Sequence, residues 1–268
     1  NDRRLGLALN YLRYLGTSKY SPSEIQMEFY KLGCSFFISA SDDQVYVSLT
    51  GLTGNFAQGL ELFEHLLADA QPNEEALQNL IADVLKQRND SKLSKSSILW
   101  GALYNYGVYG LDSPFLNILS KDELNSLKAG ELVDIIRDLN NYEHRVLYYG
   151  TLNQNALAQI LAKLHRVPKK LKPIPAEKQF KELETNTNKV FVVDYDMKQV
   201  EIVMLSKSDR YRKDNTPSIN LFNEYFGRGM SSVVFQELRE AKGLAYSAYA
   251  TYSIPSRPDR SHYITSFI

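Results

Sequence analysis

The chain has 268 residues, 44% of them hydrophobic, enough for one large domain or two ordinary ones around a packed core. Lys plus Arg and Asp plus Glu both number 31, so no net field draws the chain toward nucleic acid or an acidic membrane. No apolar run approaches the ~18 residues needed to span a bilayer. The single cysteine, Cys34, excludes an internal disulfide but leaves the compartment open between cytoplasm and periplasm.

Leu5, Leu9 and Leu12 recur at helical spacing and predict a helix over about 4–15. Ser21-Pro22-Ser23-Glu24 is a capping box with proline at the first helical position, and the helix it opens stops at Gly33. Residues 34–51 alternate at period two on both sides of Asp42-Asp43, which predicts a β-hairpin. Phe56, Leu60, Phe63 and Leu67 form the stripe of a helix over about 55–70, and further helices start near Glu74 and Lys95. Ser120-Lys121-Asp122-Glu123 is a second capping box, followed by a longer helix around Leu132–Leu139. His144–Gly150 reads as a strand and Asn153–Val167 as a helix.

Composition changes at Pro168, where residues 168–188 are rich in Lys, Pro and Glu without periodicity and read as a linker. Lys189–Asp196 and Gln199–Ser208 read as strands. A helix carrying Ile219, Phe222 and Phe226 follows, then a helix into Gly243 and two more strands. The order helix, helix, glycine, strand, turn, strand thus occurs before and after the linker. It predicts two related α+β domains, 1–167 and 189–268, each an antiparallel-rich sheet covered by helices. The first copy lacks strands that precede the helices of the second. The second lacks helices that follow the hairpin of the first. The sequence therefore reads as a window on a longer protein.

The run from Gly229 to Ser247, "GMSSVVFQELREAKGLAYS", resembles the second-domain signature of the pitrilysin/insulinase family of zinc metallopeptidases. "YLRYLGTSKYS" and "KLGCSFFISASDDQVYVSL" resemble that family's first-domain frame, so the likeness runs in order along nearly the whole chain. The resemblance implies a clamshell whose two halves enclose a peptide-cutting chamber. It also implies an H-x-x-E-H helix, in which two imidazoles hold zinc and a glutamate activates water. Aligned through Gly16-Thr17, that motif falls on Leu7, Asn10 and Tyr11, none of which can serve. The family's third ligand falls near Asp83, in a stretch without glutamate. No metal or other cofactor is therefore expected in this segment; zinc is expected in a catalytic half, in the same chain or a partner subunit.

Arg239 stands in the last turn of the helix before Gly243, and Tyr246 just beyond it. With a strand starting at Leu244, Tyr246 would share a face with Leu244, Ala248 and Ala250. Composition alone also allows an arginine favoured by the helix C-terminus and a tyrosine packed in a core. The resemblance assigns the pair to binding the substrate carbonyl and steadying the oxyanion. The implied reading is the zinc-free C-terminal half of a metalloendopeptidase; the alternative is a non-catalytic scaffold or peptide-binding subunit of the same family. Glu61–His65 looks like a metal motif but lies in the wrong register, and Glu64-His65 reads as a solvated pair. His144, His165 and His262 lie in separate elements without ligand spacing.

Overall fold

A computed structural model describes residues 2–41 and 44–268. The chain is a mixed α+β protein with small antiparallel sheets, divided into two compact units. One holds Asn1–Arg88 and Ile118–Gln179; the other holds Asn89–Asn117 and Phe180–Ile268. Residues 89–117, assigned from the sequence to the first domain, thus pack with the second unit, and the boundary at Gln179 falls inside 168–188.

In the first unit, helix α1 (Leu5–Tyr11) runs into a 3-10 turn, and α2 (Pro22–Lys31) follows. The Ser21 hydroxyl accepts from Glu24 N–H, and the Glu24 carboxylate accepts from Ser21 N–H at 2.8 Å, so two otherwise orphaned donors are satisfied. Gly33 ends α2 with φ 59°, a conformation glycine adopts without a Cβ clash. β1 (Ser35–Ala40) then pairs with β2 (Val45–Thr50) as an antiparallel hairpin, Ser35 opposite Thr50 and Ala40 opposite Val45. The Asp42-Asp43 turn lies outside the described residues.

Helices α3 (Phe56–Asp69), α4 (Glu74–Ser91) and, past the second unit's excursion, α6 (Lys121–Ser126), α7 (Ala129–Asp138) and α8 (Gln154–Leu164) complete this unit. The predicted capping box at Ser120 is formed and opens α6. Leu9 and Leu12, Leu66 of α3, and Leu132 and Ile136 of α7 meet in one core, each at most 1% exposed. Phe36 of β1 seals it between Phe29 and Phe63, with ring centroids 5.1 Å apart on either side.

The second unit starts with a wide-wound turn, Ser97–Leu103, leading into α5 (Tyr104–Tyr109). It continues with β3 (Val203–Arg210), α9 (Thr216–Phe222, extended by wide-wound Asn223–Gly227) and the wide-wound helix α10 (Phe235–Ala241). Strands β4 (Tyr249–Tyr252) and β5 (Ser261–Phe267) follow, and the sheet order is β3-β5-β4, antiparallel throughout. The buried Asn223 amide accepts from Tyr252 N–H at 2.7 Å and donates to Tyr252 C=O at 2.9 Å. It thereby satisfies backbone groups of edge strand β4 that no strand reaches on that side.

Two predicted strands do not form. Residues 144–150 and 189–196 belong to no sheet among the described residues. Alternation offers a face, but a strand also needs a neighbour to take its N–H and C=O groups. Here Leu147, Tyr149, Val190 and Val192 all point to solvent. The last strand pair also departs from expectation, because β4 begins at Tyr249 and not at Leu244.

Candidate substrate-binding site

Helix α10 carries Arg239 in its last turn and ends where Gly243 takes φ 57°, open to glycine and strained for residues with a Cβ. Leu244 N–H donates back to Leu238 C=O at 2.9 Å, which folds the chain over the helix end. This reversal brings Tyr246 beside Arg239. The guanidinium carbon lies 5.1 Å from the Tyr246 ring centroid and 4.7 Å from that of Phe235. Such contacts contribute about 0.5–1 kcal/mol at exposed sites and hold the cation in a defined place. Tyr246 is 86% exposed and Leu244 65%, while Ala248 and Ala250 are buried. Tyr246 therefore stands in the connection before β4, its ring turned outward, and does not share a sheet face with the two alanines. Arg239 Nε is 3.7 Å from Glu240 Oε1, a long and solvated contact.

Leu7, Asn10 and Tyr11, where the resemblance would place a zinc motif, do not converge on a ligand-holding cluster. Leu7 joins the edge of the first unit's core, and Asn10 is exposed. Tyr11 is fully buried; its hydroxyl donates to the Asn73 carbonyl at 2.7 Å and accepts from Asn73 N–H at 2.8 Å. Burial pushes the phenol's pKa up and keeps it neutral. Asp83 is exposed on α4. An apolar side chain, an amide and a buried phenol engaged with backbone do not fit a zinc ion and its base. Tyr11→Phe would leave the Asn73 N–H without its acceptor, while the Asn73 carbonyl keeps the Leu77 N–H at 3.0 Å. It is expected to lower stability by about 1–3 kcal/mol in denaturant unfolding; an unchanged midpoint would show the bond to be dispensable.

The sequence reading missed one polar cluster in the first unit. Glu64 is not solvated: it is 8% exposed and accepts from Asn140 at 2.9 Å, while His165 bonds its other oxygen. His65 instead meets the Thr17 hydroxyl at 3.0 Å. His144 and His165, separate in sequence, touch. The available signal was register, since Glu64 lies four residues beyond Leu60 and three before Leu67, on the apolar stripe of α3.

Residues 145–266 match the peptidase M16 inactive domain family. That stretch of the chain is similar to a peptidase M16 inactive domain. Arg239 and Tyr246 both lie within the matched residues. No curated protein matches the chain. Among solved structures, it is similar to a protease from Helicobacter pylori, with 18% identity and TM-score 0.69, over 98% of this chain and 64% of that one. It is similar to a peptidase M16 inactive domain from Pseudomonas fluorescens, with 15% identity and TM-score 0.72, over 97% and 63% of the two chains. It is also similar to the periplasmic protease PqqL from Escherichia coli, with 14% identity and TM-score 0.75, over 98% of this chain but 29% of that one. At these identities the likeness is one of fold, and the chain spans less than two thirds of each relative.

Proposed function

We propose that the chain is the zinc-free half of a pitrilysin/insulinase-type metalloendopeptidase, closing a peptide chamber against an H-x-x-E-H half in the same chain or a partner subunit. The observation that carries the reading is the exposed Arg239–Tyr246 stack at the end of α10, inside the residues matched to the M16 inactive domain. Arg239 is a permanent fork-shaped donor, suited to a peptide carbonyl oxygen. The Tyr246 hydroxyl can donate a further hydrogen bond to that oxygen as negative charge develops on it. Stacking sets the two donors side by side before substrate arrives, which limits the reorganisation needed in the transition state. The substrate is then an extended peptide. Lys and Arg balance Asp and Glu, so peptide charge is not expected to dominate its choice.

The test is to assemble this chain with its H-x-x-E-H half and follow cleavage of an unstructured peptide. Turnover is expected only with both halves present. Full turnover by the H-x-x-E-H half alone would leave this chain as a scaffold or peptide-binding subunit. The chain by itself is expected to cut no peptide and to keep no zinc after dialysis against a chelator.

A further inference from the structure

Glu64, His144 and His165 meet in the first unit although 101 and 21 positions separate the bonded pairs. His165, at the end of α8, places Nδ1 2.6 Å from Glu64 Oε1 and Nε2 2.8 Å from His144 Nε2. His144 Nδ1 lies 2.6 Å from the Tyr142 carbonyl oxygen. A carbonyl oxygen only accepts, and the Glu64 carboxylate already accepts from the Asn140 amide, so both Nδ1 atoms are donors. A neutral imidazole with hydrogen on Nδ1 has a bare lone pair at Nε2. Two bare lone pairs repel at 2.8 Å, whereas one proton between them makes a short charge-assisted bond.

We propose that His144 and His165 share one proton between their Nε2 atoms, and that this charged pair is a pH-operated clasp holding residues 142–165 against helix α3. The clasp has leverage because α8 has no fully buried residue and rests on α3 by partly exposed contacts. Other ties of the segment include a Thr151–Thr53 hydroxyl bond at 3.1 Å, an edge contact of Tyr148 on Phe56, and, at its start, the bond from Glu143 N–H to Lys172 C=O at 2.9 Å.

Glu64 is the anion facing the pair from α3, and its hydrogen bond raises the His165 pKa above the ordinary histidine value against the opposing effect of burial. His165 is thus the imidazolium, and His144 the acceptor. Glu143, Arg145 and Arg166 flank the two histidines along the chain, and Lys172 pairs with Asp138 and lies over the Tyr142 ring. Because His165 binds its proton more tightly folded than unfolded, its contribution is complete below the unfolded histidine range and is lost as pH rises through the raised folded value. The clasp therefore loosens as pH rises through the raised His165 value.

The test is imidazole nitrogen NMR together with hydrogen exchange of the full chain across pH. Near neutrality, His165 is expected to be doubly protonated and His144 protonated at Nδ1 alone. Exchange of α8 amides, corrected for its intrinsic pH dependence, is expected to quicken as pH rises through the raised His165 value. His144→Ala changes an exposed residue and should preserve the fold. It is expected to lower the proton affinity of His165 and so to move the loss of α8 protection to lower pH. Two neutral rings at neutral pH, or identical α8 pH profiles in wild type and His144→Ala, would overturn the clasp.

Discussion

On the proposed function, Tyr246→Phe in the assembled peptidase is expected to lower kcat by about 10²-fold, or roughly 3 kcal/mol of transition-state stabilisation. KM should change little. The phenol ring that stacks on Arg239 is kept, and only a hydroxyl at the surface is removed. A donor that strengthens its bond only as the oxyanion forms affects the transition state and not the bound peptide. Arg239→Lys should impair activity as well, raising KM together with the loss in kcat. An ammonium lacks the planar fork that both stacks on Tyr246 and donates in two directions. Neither change touches the core of the second unit, so thermal midpoints should stay within a degree or two of wild type. Full activity in Tyr246→Phe, or a mutant that simply melts early, would return the pair to an ordinary helix end.

The second large effect is on stability. Leu132→Ala is expected to cost about 2–5 kcal/mol in the unfolding of the first unit. Leu132 is fully buried where α7 packs on α1 and α3, so truncation leaves a cavity with helices on several sides. That is a large part of the roughly 5–15 kcal/mol that keeps a domain folded. Met27→Ala on α2, where the side chain is 53% exposed, is the matched control and should change stability by under about 0.5 kcal/mol beyond helix propensity. Urea unfolding followed by circular dichroism distinguishes them. Equal midpoints for the two variants would mean that this cluster does not carry the unit.

Local chemistry made much of the protein readable as a string. The capping boxes at Ser21 and Ser120 form as predicted, because they involve only atoms within four residues of one another. Gly33 and Gly243 both adopt positive φ, since each ends a helix by reversing the chain. The periodic stripes of α1 and α3 gave the core face, and once the resemblance placed the zinc motif on Leu7, Asn10 and Tyr11, their unfitness for zinc followed from side-chain chemistry. Tertiary structure decided the rest. Residues 144–150 and 189–196 alternate like strands, but pairing depends on a distant neighbour that no local pattern specifies. The place of 89–117 in the second unit, the stack of Arg239 on Tyr246 in a connection instead of on a strand, and the meeting of Glu64, His144 and His165 are all of this kind. Each depends on which surfaces come together when the chain folds back on itself. Hydrophobic spacing says which side of an element faces inward, and leaves to packing what that side will find there.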